Sequence, residues 1–265
     1  MKIGIVGCAG RMGRMLVAEI LASDRAKLVG GTEHVESTFL GQDIAVLAGL
    51  DEAGIVVGSD TDALFTAADV VIDFTLPHAT IGHTQGAVKH GTALVIGTTG
   101  LGPEEQAAVV KASNSVAVIQ AANFSVGVNL MLALTSQVAS VLGNDYDIEV
   151  LEMHHRHKID APSGTALALG QAAADGRGVD LEVVSERVRD GHTGARSPGN
   201  IGFATLRGGD VVGDHSLIFA ADGERIELTH KASSRTVFAR GAVRSAEWCE
   251  NKAPGLYSMR DVLGL

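Results

Sequence analysis

Five consecutive positions, 154–158, carry His-His-Arg-His-Lys, preceded by Glu152-Met153 and followed by Ile159-Asp160-Ala161-Pro162-Ser163-Gly164-Thr165. Adjacent cationic side chains repel one another, and so dense a run adds little to a core. An anionic ligand nearby accounts for the composition best. Histidine adds a proton that exchanges near neutrality. Three readings stay open on the residues alone. A zinc site needs neutral imidazoles converging on the ion, yet Arg156 and Lys158 place fixed positive charge beside it and no nearby cysteine completes a tetrahedron, so the expectation is no metal. A solvated basic turn is the bland alternative. The third reading is recognition of an anionic substrate combined with proton donation. Ser163 suits the cap of an Ala-rich helix, where its hydroxyl closes the turn while backbone amides and Thr165 hold a carboxylate. A bound carboxylate favours the charged form of a neighbouring histidine or lysine, which suits a general acid.

Such a run needs a scaffold, and the sequence supplies one in two styles. Lys2–Val6 is a short apolar run, Arg11–Leu21 has helical spacing and residues 26–30 are apolar again, which predicts a βαβ unit. The pattern recurs with strands at 69–74, Ala93–Ile96 and 116–120 and helices at 79–90 and 103–111. This alternation predicts an α/β fold built on a Rossmann-like, doubly wound parallel sheet. From Val126 the pattern changes. A helix over Val126–Leu142 leads to a half-exposed strand at 146–153, a helix at 163–174 and a polar loop at 185–200. Three runs suited to antiparallel strands follow, Ile201–Arg207, 215–221 and 225–230, with Asp222-Gly223 a hairpin signal between the last two. A helix over 234–248 comes next. The expected organisation is a first domain of residues 1–125 completed by 236–265, and a second α+β domain, residues 126–235, with a mixed or antiparallel sheet.

Gly7-Cys8-Ala9-Gly10-Arg11-Met12-Gly13 follows the first strand and opens the first helix, the context a dinucleotide loop requires. Glycine permits the tight turn and the approach of backbone to a pyrophosphate, whose charge the helix amides meet. The spacing is GxxGxxG rather than GxGxxG, so position carries the argument more than pattern. Twenty residues beyond Gly13, at the end of the second strand, Glu33 is placed to accept hydrogen bonds from an adenosine ribose diol. Gly97-Thr98-Thr99-Gly100 and Ala121-Ala122-Asn123-Phe124 end two further strands at the same sheet edge. Their small residues let a ring approach the backbone, and Asn123 suits a carboxamide. Together they favour a nicotinamide cofactor.

The whole chain narrows the classes. A formal charge of −10 argues against a nucleic-acid surface and makes the basic cluster local. Cys8 and Cys249 form no CxxC pair, so neither a disulfide framework nor a thiolate zinc site is indicated and a reducing compartment fits. The first residues lead into the glycine turn rather than a signal-peptide apolar region. The most apolar helix candidate, Val126–Leu142, contains Asn129, Thr135, Ser136 and Gln137 and is expected to fall short of a membrane span. A cytoplasmic protein with a small anionic partner and no membrane is expected.

These motifs resemble those of the bacterial 4-hydroxy-tetrahydrodipicolinate reductases, formerly dihydrodipicolinate reductases, of the diaminopimelate and lysine pathway. The resemblance runs through residues 6–13, 96–100, 121–129 and 154–165, and continues in Gly202-Phe203-Ala204, Thr229-His230-Lys231-Ala232-Ser233-Ser234-Arg235 and Met259-Arg260-Asp261-Val262-Leu263. It implies that nucleotide pyrophosphate lies on Gly7, Cys8, Ala9, Gly10, Arg11 and Met12, and the adenosine ribose on Glu33. The nicotinamide end would lie near Gly97, Thr98, Thr99, Ala121, Ala122, Asn123 and Phe124. It further implies His154 as general acid, Lys158 as a second proton donor, and His155, Ser163, Gly164 and Thr165 around a small cyclic dicarboxylate. Arg156 and His157 receive no role. In such enzymes hydride from NAD(P)H adds at ring C4, a proton reaches the neighbouring carbon and water is lost. They are usually homotetramers whose second domains pair their sheets.

Two positions depart from the family pattern. His34 stands where several members have Arg after the ribose-binding Glu, a weaker and pH-dependent partner for a 2′-phosphate, so NADH is the expected preference and NADPH the alternative cofactor. Leu76-Pro77-His78 replaces a common Arg-Pro pair. Competing functions are another nicotinamide-dependent imine or aldehyde reductase, and a nucleotide-sensing module without catalysis, against which the intact His154 and Lys158 argue.

Overall fold

Lys2–Val6 (β1) alternates its side chains between two packed layers, Ile3 and Ile5 on one face and Val6 on the other, and the rest of its unit repeats that arrangement. In the computed structural model, which describes residues 1–265, the chain divides into two units, Met1–Val126 with Thr236–Gly264, and Gly127–Arg235 with the terminal Leu265. Along the first unit follow Arg11–Leu21 (α1), Lys27–Thr32 (β2), Ile44–Leu47 (α2), Val57–Gly58 (β3), Thr61–Ala67 (α3), Val70–Asp73 (β4), a 3-10 turn at Pro77–Ala79, Thr80–His90 (α4), Ala93–Ile96 (β5), Pro103–Ser113 (α5) and Ala117–Gln120 (β6).

The second unit contributes Val126–Leu142 (α6), a 3-10 turn at Gly143–Asp145, Asp147–His154 (β7), Gly164–Arg177 (α7), Leu181–Val184 (α8), Ser185–Glu186 (β8), Ile201–Arg207 (β9), Gly213–Ala221 (β10) and Glu224–Ala232 (β11). Thr236–Trp248 (α9), Gly255–Tyr257 (β12) and Met259–Leu263 (α10) then return to the first.

The first unit's seven strands are all parallel, in the order β12-β6-β5-β4-β1-β2-β3, with the order reversing beside β1. Such a reversal opens a crevice at the carboxyl ends of the strands. Ile3, Ile5, Ile72, Val95 and Ile119 meet Leu16 and Ile20 of α1, Ala239, Ala242 and Ala246 of α9 and Val262 of α10. Val71, Leu94, Ile96 and Val118 meet Leu64 and Phe65 of α3, Ala87 of α4 and Val109 of α5. Covered on both faces, these strands are continuous apolar runs. The small residues of α9 allow a close approach: a Cβ on Gly241 would lie 1.7 Å from the Phe124 carbonyl oxygen. Gly241→Ala is expected to lower stability by about 1–3 kcal/mol through overpacking, read as a lower urea midpoint. An unchanged midpoint would show that the helix has room.

In the second unit the strand order is β11-β10-β7-β9-β8. β7 alternates strictly, with Ile148, Val150, Glu152 and His154 buried. Its apolar members pack with Leu217 and Phe219 of β10, Met131 and Ala139 of α6, and Ala166, Leu169 and Ala173 of α7. β10 and β11 form the hairpin expected at Asp222-Gly223. Ile201–Arg207 is not an antiparallel strand as the sequence suggests. It runs parallel to both β7 and β8, because α7 and the long loop at 187–200 supply the crossovers that parallel pairing requires. A second correction concerns α6: with its 3-10 extension, Val126–Asp145 has 20 residues at hydropathy 1.5, long and apolar enough by length and composition to cross a membrane. Met131 and Ala139 enter the second unit's core, whereas Leu130, Leu134 and Val141 of the same helix are exposed.

Candidate active site

β1 ends in Gly7, whose φ of 72° only glycine adopts without strain and turns the chain into α1. A Cβ on Gly13 would meet the Gly7 carbonyl oxygen at 2.2 Å, so the first turn of α1 lies directly against the loop. The N-cap, Gly10, has no side chain to close the helix, and the first turn carries no acidic residue. The amides at this end are thus left to a ligand, the arrangement that receives a pyrophosphate. Glu33, just past β2, accepts the Ala9 N–H at 2.7 Å and so ties the glycine loop to the position expected for the ribose.

A cavity of about 460 Å³ opens here, lined among others by Gly7, Gly10, Glu33, His34, Phe74 and His83. Cys8 is fully buried against Gly31, where burial pushes its thiol up to about 12, and Ala9 is buried too. Both shape the loop from behind. Arg11 is exposed and Met12 half-buried. Cavity, open helix end and carboxylate fit a dinucleotide.

The sequence reading missed the polar cluster beside this cavity. Asp73, the last residue of β4, is completely buried; its carboxylate accepts from His83 Nδ1 at 2.7 Å, from the Thr75 amide at 2.9 Å and hydroxyl at 2.6 Å, and from the Thr98 hydroxyl at 3.0 Å. Burial opposes ionisation of Asp73, but the hydrogen bond and charge of His83, with the Thr75 donors, hold the carboxyl below its usual range. The cluster joins the turns after β4 and β5. Thr98 is therefore a buried bracing residue, whereas Thr99 is exposed and Gly97 half-buried. A carboxylate closing the otherwise apolar Val-Val-Ile-Asp strand was the available signal.

At the end of β6, Ala121 and Asn123 are half-buried and Ala122 exposed. Asn123 Oδ1 accepts the Ser125 N–H at 2.8 Å, so at least that oxygen serves the turn into α6. Phe124 is buried and packs on Phe74 at 5.4 Å between ring centroids, a core role rather than a lining one.

The histidine run begins inside β7 and leaves it. His154 is the last, inward-facing strand residue, 8% exposed, whereas Arg156 and His157 are exposed. Glu152, two positions back on the same face, accepts from His154 Nδ1 at 2.6 Å, from the Ser163 amide at 3.0 Å and from Arg207 Nη1 and Nη2 at 2.7 and 3.0 Å. Burial works against its charge, but Arg207, His154 and the Ser163 amide outweigh it and keep the carboxyl below its usual range. The parallel register that sets Arg207 opposite His154 makes this contact possible. Lys158 pairs with Asp160 at 2.7 and 2.8 Å.

Ser163 is the N-cap of α7, its hydroxyl accepting the Ala166 N–H at 3.1 Å and lying 3.1 Å from His215 Nε2. Gly164 and Thr165 form the first turn, which holds no acidic residue. His215 packs edge-on to His154 at 5.0 Å, and burial, then the neighbouring His154, pushes it down to about 4, so it is neutral at pH 7. Burial and the nearby Arg235 likewise lower His155. Glu152, Arg207 and His215 thus share one buried cluster with His154 and Ser163, a cluster that the sequence reading left out.

A doubly wound sheet with an open glycine turn, followed by a second unit in which histidines gather on a buried carboxylate, is the architecture of a dinucleotide-dependent oxidoreductase. Residues 1–124 match the N-terminal region of dihydrodipicolinate reductases and residues 127–263 the C-terminal region. The chain belongs to the dihydrodipicolinate reductase family. It is 56% identical over 265 residues to the 4-hydroxy-tetrahydrodipicolinate reductase of Afipia carboxidovorans, covering 100% of this chain and 97% of that one. With the enzyme of that name from Magnetococcus marinus it shares 51% over 263 residues, 99% and 98% of the two chains. Among solved structures it is similar to a dipicolinate-bound dihydrodipicolinate reductase from Paenisporosarcina sp. TG-14, with a TM-score of 0.77, 25% identity and 97% of each chain covered.

Proposed function

We propose that the chain reduces 4-hydroxy-tetrahydrodipicolinate with His154 as general acid and Lys158 as second proton donor. The activity, 4-hydroxy-tetrahydrodipicolinate reductase in lysine biosynthesis, follows from family membership, and the family uses NAD(P)H. The first unit is the dinucleotide-binding domain, and the second binds substrate and carries the subunit contacts of a homotetramer. The enzyme is cytoplasmic.

Gly7, Gly10 and the open end of α1 would hold the pyrophosphate and Glu33 the ribose, with Gly97, Thr99, Ala121 and Ala122 toward the ring. A nicotinamide bound there supplies the hydride. The chain's own residues supply the rest of the reaction. Gly164 and Thr165 in the first turn of α7, together with His155, receive the substrate carboxylates, while Ser163 caps the helix and keeps its amides aimed outward. His154 delivers the proton to carbon, and Lys158 exchanges its Asp160 partner for the substrate's own anionic groups. The observation that carries this reading is the clustering on one buried carboxylate, Glu152, of His154 and the helix cap of α7.

NADH is the proposed preference. Beside Glu33, His34 accepts the Glu36 amide at 3.3 Å through Nδ1, which also lies 3.9 Å from the Glu36 carboxylate. The carboxylates of Glu33 and Glu36 disfavour a 2′-phosphate at the proposed ribose position, and His34 stands where several members of the family have Arg. Oxidation of NADH and NADPH coupled to freshly generated substrate tests both parts of the proposal: turnover with the cyclic imine and a higher kcat/KM for NADH are expected. His34→Arg should improve NADPH use by about tenfold, the worth of one charge-assisted hydrogen bond. Failure to turn over the imine would reject the function. Equal or better efficiency with NADPH at pH 7.5 would reject only the preference.

A further inference from the structure

We propose that Glu152 is a positioning residue for both proton donors: it keeps a hydrogen on His154 Nδ1, so that Nε2 is the nitrogen that takes up and gives the transferable proton, and it anchors the loop that carries Lys158. The inference rests on the reading of His154 and Lys158 as acids. Glu152 is 1% exposed and ionised between Arg207, the Ser163 amide and His154, so it is an acceptor only. The 2.6 Å contact therefore requires a hydrogen on His154 Nδ1. A neutral imidazole then has its lone pair on Nε2, and a charged one offers the Nε2 proton. The Nε2 edge faces Gly213, where a Cβ would stand 3.0 Å away; glycine leaves that edge uncovered.

Arg207 decides how this dyad works. Its two-pronged contact already neutralises Glu152, so His154 can give up its Nε2 proton without leaving an uncompensated buried carboxylate. The remaining groups around the imidazole do not compete for the Nδ1 hydrogen. His215 on β10 is neutral and engaged with Ser163. The same carboxylate organises the loop. Glu152 takes the amide of Ser163 at its far end, and Arg207 donates to the carbonyl oxygen of Asp160 at 2.6 Å, two residues from Lys158. One buried anion therefore sets the spacing of the two donors, a dependence no contact between the donors themselves provides.

The test combines kinetics with spectroscopy on the full chain. In Glu152→Gln the amide offers Arg207 one acceptor in place of two and presents either an oxygen or an NH2 to Nδ1. The expected result is kcat lower by about 10- to 100-fold, an unchanged KM for the reduced dinucleotide, and partial recovery in Glu152→Asp. In ¹⁵N NMR of the wild type, neutral His154 should carry its hydrogen on Nδ1. Wild-type kcat in Glu152→Gln alongside a disabled His154→Ala would overturn the positioning role alone, whereas wild-type kcat in both would overturn the acid reading with it. If Glu152→Gln fails to fold, the wild-type spectrum decides, and a neutral His154 with its hydrogen on Nε2 overturns the proposal.

Discussion

His154→Ala is expected to lower kcat by about 10²–10⁴-fold, the contribution of a positioned general acid, with binding of the reduced dinucleotide unchanged. Lys158→Ala falls in the same range. The two losses have different structural backgrounds. His154 is held by a buried carboxylate and retains its orientation without ligand, whereas Lys158 is paired with Asp160, an exposed residue of the same loop. Loss of Lys158 should therefore raise KM for the cyclic substrate as well as lower kcat, because its charge also balances the carboxylates. Stopped-flow measurement of hydride transfer with saturating NADH separates the steps. Wild-type turnover in either variant removes that residue from the chemistry.

The second large effect lies beside the cavity at the glycine loop. Asp73→Ala removes one partner of the buried Asp73–His83 pair and leaves Thr75, Thr98 and the His83 ring without their acceptor, a change expected to cost about 3–5 kcal/mol. Affinity for NADH should fall as well, since the turns after β4 and β5 lose their common tie. Because the folded state depresses the Asp73 carboxyl, its contribution to stability is fully present above the unfolded value of about 3.9 and is lost as pH falls through the lower folded value. Urea midpoints of wild type and variant should thus differ most at neutral pH and converge under acid. A constant difference down to strong acid would show that the carboxylate's charge is not what matters.

Five of the first unit's seven strands were legible because period and composition coincide: a strand buried on both faces can only be a short apolar run, and Gly7, Gly13 and Pro103 mark the turns and helix starts, whereas β3 and β12, of two and three residues, are too short to show a pattern. The second unit was less so. Polar and apolar residues alternate in any half-buried strand, whichever way its neighbour runs, so Ile201–Arg207 gave no sign of being parallel to β7. That one direction matters to the site. In the antiparallel reading Arg207 would lie at the far end of β7, away from Glu152. Glu152 itself shares the inward parity of Ile148, Val150 and His154, and a carboxylate at such a position announces a buried partner without naming it. Asp73 and His83, ten positions apart on a strand end and inside a helix, are joined only by tertiary packing.

The edge strand β12 and helices α9 and α10 reach the first unit's sheet only after the whole of the second unit has been written into the chain. On a ribosome, the second unit has all its residues in hand while the first still lacks the helix that covers Ile3, Ile72 and Ile119. Domains fold as units during synthesis, so the inserted unit is expected to be able to fold while the first still lacks residues 236–264. The order in which the two units can be completed is therefore the reverse of the order in which they begin.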